Sequence, residues 1–238
     1  MTQTPPQTIN IADNLAQIQH NILLFCEKYH RNPQDVQLLA VSKTKPAEDI
    51  RQAFNTGQVR FGENYLQESI QKIHDLSDLN IEWHFIGAIQ SNKTREIAEN
   101  FAWVHSVDRL KIAKRLSLQR PESLPALNIC LEVNISQEAS KSGFSLTEIP
   151  SLVDEIIALP NLCLRGLMAI PAQASSLEDQ RKTFAKIRHL LETLHKKHPQ
   201  LDTLSMGMSN DMEAAIAEGS TMLRIGTAIF GARNIDRL

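Results

Sequence analysis

The stretch Leu38-Leu39-Ala40-Val41-Ser42-Lys43-Thr44-Lys45-Pro46 places an ammonium group at the end of an apolar run. Such a run reads as a parallel strand buried on both faces, ending where the strand meets its loop. Taking an ammonium out of water is costly or lowers its pKa, and a lowered pKa leaves a free amine able to attack an aldehyde. Lys43 is therefore either a nucleophile or a side chain that snorkels into water. Lys45 competes with it but adjoins Pro46 at a helix start, where the helix dipole disfavours a cation and the loop leaves the amine in water. Lys43 is the better nucleophile.

Strand-like runs recur outward from this one, at 36–44, 59–63, 81–87, 103–107, 127–135, 162–170, 203–208 and 222–230, eight in all. Helical patterns separate them, among them Leu66, Ile70 and Ile73, then Phe184, Ile187, Leu191 and Leu194 within 177–197, then 212–218 before Gly219. Ile11, Leu15, Ile18, Ile22, Phe25 and Tyr29 predict a long amphipathic helix ahead of the first strand. Alternating β and α units call for a parallel sheet, and eight of them close most naturally into a (β/α)8 TIM barrel, with a doubly wound open sheet as the alternative. The 238 residues lie near the roughly 250 of one such barrel. With no linker rich in Gly, Ser or Pro, residues 1–238 read as a single domain. Only 231–238 follow the eighth strand, so the leading helix is expected to cover the outside of the barrel there.

The composition narrows the occupation. With 42% hydrophobic and 22% charged residues the chain can bury one large core. A net charge of -2 with mixed signs gives no footprint for nucleic acid and no polybasic membrane patch. The polar start lacks the features of an export signal, and no apolar run is long enough to span a bilayer, so a cytoplasmic protein is expected. Cys26, Cys130 and Cys163 sit far apart in apolar runs and suit reduced core thiols. The eight histidines form no ligand-spaced cluster, so no metal is expected.

In a barrel the site is built at the carboxyl ends of the strands. Besides Lys43, those ends supply Asn64, which is a ligand contact or a helix N-cap, and Met168, which packs on a ring or belongs to the core. His84 reads as a hydrogen-bonded core histidine, and Lys141 as a solvated loop residue. The seventh strand runs through Ser205, Met208 and Ser209 into a helix where Asn210 and Glu213 have capping-box spacing. On the eighth, Gly226 lets backbone approach an anion, and Thr227 adds an N–H and a hydroxyl. The loops after strands seven and eight are the usual phosphate site of this fold. Arg224 interrupts an apolar strand and must face an acceptor if buried, either a carboxylate inside the barrel or a ligand.

These segments together resemble the pyridoxal phosphate homeostasis proteins of the YggS/PROSC type, which are similar to the barrel domain of alanine racemase. The resemblance spans nearly the whole chain. It is carried by Ala40-Val41-Ser42-Lys43-Thr44, Phe61-Gly62-Glu63-Asn64-Tyr65, Trp83-His84-Phe85-Ile86-Gly87, Arg165-Gly166-Leu167-Met168, Gly207-Met208-Ser209 and Arg224-Ile225-Gly226-Thr227-Ala228-Ile229-Phe230-Gly231. It implies a fold type III barrel holding pyridoxal 5'-phosphate as a Schiff base on Lys43. Ser209, Gly226 and Thr227 would hold the phosphate, and Arg224 would meet the pyridine nitrogen. Lys141 would be a second lysine used when cofactor is handed on. The implied role is vitamin B6 and amino-acid homeostasis, with transient contact to apoenzymes. An arginine at the ring nitrogen makes a weak electron sink, and racemisation needs a second base from a further domain for which the chain has no room. A monomeric carrier is therefore expected, the alternative being a racemase or lyase of low activity.

Overall fold

Eight parallel strands follow one another around a closed barrel in chain order, and β8 pairs back onto β1. The computed structural model describes residues 9–135, 142–172 and 174–232. The strands are β1 (Gln37–Val41), β2 (Arg60–Glu63), β3 (Glu82–Phe85), β4 (Trp103–Val107), β5 (Leu127–Val133), β6 (Leu162–Ala169), β7 (Thr203–Ser205) and β8 (Met222–Ile225). Outside them run α1 (Ile11–Lys28), α2 (Ala47–Asn55), α3 (Leu66–Asp75), α4 (Thr94–Asn100), α5 (Leu110–Gln119), α6 (Ile149–Ile157), α7 (Leu177–His195), α8 (Met212–Ala217) and the short α9 (Thr227–Phe230). The closed barrel is the expected one, and the open sheet is excluded.

Asn10 caps α1 by accepting from the Asp13 N–H, and its buried stripe of Ile11, Leu15, Ile18, Ile22 and Cys26 packs against α8, α9 and α2. The helix thus covers the outer face left by the short α9, as expected. Among the described residues, no helix is long and apolar enough to cross a membrane.

Apolar burial divides unevenly. One large cluster fills the space between strands and helices, whereas a small one, Trp103, Cys130 and Met168, is separate from it. Polar groups are buried in the strands as well: His84, His105, Ser205 and Arg224 are all 5% exposed or less.

Several strands are shorter than expected: β7 stops at Ser205 rather than 208, and β3 and β5 end at Phe85 and Val133. β1 stops at Val41, so Lys43 and Thr44 lie in a turn rather than in the strand. The eighth run, expected as a strand to residue 230, leaves the sheet at Gly226, and residues 227–230 form the helical turn α9. The apolar Ile229 and Phe230 imitate a strand in sequence but are buried from a helix, with the Phe230 N–H donating to the Gly226 carbonyl at 3.0 Å.

Candidate cofactor site

A cavity of about 230 Å³ opens at the carboxyl end of the barrel. Its walls are Val41, Ile86, Ile170 and Met208, and its polar groups come from Lys43, Thr44, Lys45, Asn64, Ser209, Arg224, Gly226 and Thr227. No carboxylate lines it among the described residues. Three side chains that carry cations against none that carry an anion make an anion site, and the aliphatic walls suit a flat ring.

The turn that presents Lys43 is fastened on both sides. Ser42 donates its N–H to the Gly62 carbonyl at 3.0 Å and its hydroxyl to Glu63 Oε1 at 2.6 Å, while its carbonyl accepts from Lys72 Nζ at 2.8 Å. Thr44 occupies the left-handed region at φ 64°, rare for a β-branched residue, with its N–H bonded to Glu68 Oε1 at 2.6 Å. Glu63 is wholly buried and Lys72 nearly so, and their 2.9 Å ion pair lies directly beneath the turn. Burial raises the Glu63 pKa, an effect larger than the opposing pull of Lys72. Partly buried Lys43 is thus held between two anchored residues.

Arg224 lines the same cavity as Lys43. Its Nη1 donates to the Ser205 carbonyl at 2.6 Å and the Ser205 hydroxyl at 2.7 Å, and its Nη2 donates to the Ala169 carbonyl at 3.0 Å. Three of five guanidinium donors are therefore used, and Arg224 forms no ion pair among the described residues. Burial lowers its pKa to about 10, so the group stays charged at neutral pH. Gly226 comes close to β1: a Cβ there would stand 3.0 Å from the Val41 carbonyl oxygen. Thr227 and Ala228 begin α9 with N–H groups that precede its first intrahelical bond, and the exposed Ser209 and Thr227 hydroxyls add donors beside them.

This arrangement fits a phosphate-bearing aldehyde, and the comparisons agree. The alanine racemase N-terminal domain family matches residues 14–234. A pyridoxal phosphate homeostasis protein of Pseudomonas aeruginosa is 57% identical over 224 residues, spanning 94% of this chain and 96% of its own. This chain belongs to the pyridoxal phosphate homeostasis protein family. The Escherichia coli K12 member is 51% identical over 231 residues, covering 96% of this chain and 99% of its own. PipY of Synechococcus elongatus, solved with PLP bound, is 36% identical with a TM-score of 0.81, covering 93% of this chain and 100% of that one. Alanine racemase of Corynebacterium glutamicum, at 17% identity and a TM-score of 0.64 over 95% of this chain and 62% of its own, shares the fold.

In this member of the homeostasis family, the cavity gathers Lys43, Asn64, Met208, Ser209, Arg224, Gly226 and Thr227 from the expected set. Ser205 and Met168 do not line it. Ser205 is fully buried and reaches the site only through Arg224, while Met168 packs against Trp103 and Cys130, because a strand's inward side chains stack in layers and only the uppermost meets the mouth. Asn64 caps no helix: α3 starts after Tyr65 without a side-chain cap, and the buried Asn64 Oδ1 has no partner among the described residues. Nor do Asn210 and Glu213 form a capping box. Asp211 precedes α8 and accepts from the Met208 N–H, and Glu213 turns outward to Lys28 and Tyr29.

Lys45, expected in water, lines the cavity and donates to the Ala232 carbonyl at 2.8 Å, and burial lowers its pKa. Lys141 lies outside the described residues. Sequence reasoning missed the Glu63–Lys72 pair, for which the only signal is a carboxylate at a strand end with a lysine nine positions on.

Proposed function

We propose that this chain binds pyridoxal 5'-phosphate at the barrel mouth, with Lys43 as its covalent attachment point, and serves vitamin B6 homeostasis by holding and releasing the cofactor. The observation that carries the reading is one cavity lined by a clamped lysine, by the Ser209 and Thr227 hydroxyls at the β7 and β8 ends and by Arg224, with no carboxylate among the described residues. The bound cofactor supplies an aldehyde that condenses reversibly with a primary amine. Lys43 provides that amine, while Ser209, Gly226 and Thr227 receive the phosphate. Arg224 donates to the ring nitrogen, and Val41, Ile86, Ile170 and Met208 exclude water from the ring faces.

Support comes also from relatives named for pyridoxal phosphate homeostasis and from PipY, solved with PLP bound. In this reading the protein is a cytoplasmic monomer that meets apoenzymes transiently. The test is titration of cofactor-free protein with pyridoxal phosphate, followed by visible absorbance. Wild type gains a yellow band, Lys43→Ala does not, and an equal band in both would refute the assignment.

A further inference from the structure

Below the cavity an unbroken file of polar side chains crosses the barrel from its amino-terminal end. Glu82, the first residue of β3, accepts from Arg60 Nε at 3.0 Å and meets His84 Nε2 at 2.9 Å with the same oxygen. His84 Nδ1 lies 2.9 Å from His105 Nε2, His105 Nδ1 lies 2.7 Å from Ser205 Oγ, and Ser205 Oγ accepts from Arg224 at 2.7 Å. Both imidazoles and Ser205 are wholly buried.

The two ends of this file, with neutral rings between them, fix its polarity. Arg224 only donates, so Ser205 Oγ accepts from it, and with both rings neutral, as their burial favours, the Ser205 proton turns to His105 Nδ1. His105 then carries its hydrogen on Nε2 and gives it to His84 Nδ1. His84 carries its own on Nε2 and gives it to the Glu82 carboxylate, which only accepts. With both rings neutral, one pair of tautomers satisfies every contact: each ring is protonated at Nε2. An extra proton on His105 puts a hydrogen on its Nδ1, and one on His84 Nδ1 drives His105 to the same Nδ1–H form, so either one turns the Ser205 hydroxyl hydrogen away from His105 and makes Ser205 Oγ accept from both neighbours.

We propose that His84 and His105 are positioning residues for Arg224: through Ser205 they fix the acceptor that aims the guanidinium at the cofactor's ring nitrogen. The inference rests on the cofactor reading above for the identity of the ligand, but the tautomers and the fixed hydroxyl belong to the chain itself. Other groups facing the pair agree with neutral rings. From β4, Trp103 stacks on His84 at 5.4 Å and 9° and carries Arg165 of β6 over its own face. Arg60 on β2 and Arg224 on β8 disfavour a further positive charge, against Glu82 at the far end and Cys130 and Glu132 of β5 beside Arg224. Burial lowers the pKa of both histidines, that of His105 well below its usual value.

The first test needs no cofactor. Imidazole nitrogen NMR of the cofactor-free protein should show both rings as neutral Nε2–H tautomers throughout about pH 5.5 to 8. Titration of either ring near the ordinary value of about 6.5, or an Nδ1–H form, would overturn the proposal whatever the ligand is.

The second test reads position. His105→Asn keeps an acceptor near the place of Nδ1, whereas His105→Leu removes it. In pyridoxal phosphate titrations the leucine variant should bind about 10-fold more weakly and the asparagine variant should lie within about 3-fold of wild type. Equal affinities for the two variants would refute a positioning role. Ser205→Ala, a smaller change, should weaken binding as His105→Leu does, and wild-type affinity there would count equally against it. Failure of the wild type to bind pyridoxal phosphate would sink the cofactor reading while leaving the NMR result standing.

Discussion

Replacing Lys72 by methionine should destabilise the protein steeply at neutral pH and much less in acid. Lys72 Nζ bonds Glu63 Oε1, Glu68 Oε1 and the Ser42 carbonyl, and Glu63 is 0% exposed. Removing one partner of a buried ion pair leaves the other charge uncompensated, at a cost of about 3–5 kcal/mol. The loss also takes away the attraction that holds the Glu63 pKa down, so its folded-state value climbs further above the unfolded value of about 4.3. A raised folded pKa means that the native chain holds more protons than the unfolded chain in that interval, so stability rises as pH falls through it. Urea unfolding at about pH 8 and about pH 5 should therefore show the deficit of Lys72→Met shrinking toward the acid side. Adding Glu63→Leu should recover most of the loss, since an apolar pair of similar volume is often as stable as a buried ion pair. A deficit below about 1 kcal/mol, the range of exposed pairs, or one that is the same at both pH values, would refute the reasoning.

Ser209→Ala should weaken pyridoxal phosphate binding about 10-fold, the worth of one hydrogen bond to a charged group, while unfolding stability stays within about 0.5 kcal/mol because the side chain is exposed. Gly226→Ala pushes a Cβ to 3.0 Å from the Val41 carbonyl oxygen and 3.3 Å from its Cβ, so β8 must shift from β1. Urea unfolding should report a loss of about 1–3 kcal/mol, with weaker cofactor binding in the same variant. The ionisable side chains lining the cavity are Lys43, Thr44's neighbour Lys45 and Arg224, with no Tyr, His, Cys or carboxylate among the described residues. Solvent deuterium exchange at the α-carbon of a panel of amino acids should accordingly be slow in the loaded protein, and rapid enantioselective exchange would favour an enzyme over a carrier.

The eight strands were legible because each is an apolar run bounded by loop residues, and every run expected as a strand contains one. Their ends were less so. Gly226-Thr227-Ala228-Ile229-Phe230 has the composition of a strand, and only the Gly226 turn, with φ -120° and ψ -73°, sends it into a helix. Site residues at strand ends could be read from the fold rule alone, which is why Lys43, Ser209, Gly226 and Thr227 converge. Met168 could not be placed that way, since its depth depends on how neighbouring strands stagger around the barrel. The buried polar contacts were illegible for a different reason. His84 and His105 are 21 residues apart and meet only because β3 and β4 pair with His84 beside Trp103, two residues short of His105. Lys72 likewise looks like a solvated helix residue until α3 folds back over β2.

The central claim is that Lys43, and no other amine, carries the cofactor. Pyridoxal phosphate added to the purified protein, trapped by borohydride reduction and located by peptide mass mapping, tests it most directly. The account predicts one modified peptide bearing the label on Lys43. A label on Lys45 instead, or spread over surface lysines with Lys43 unmodified, would contradict it.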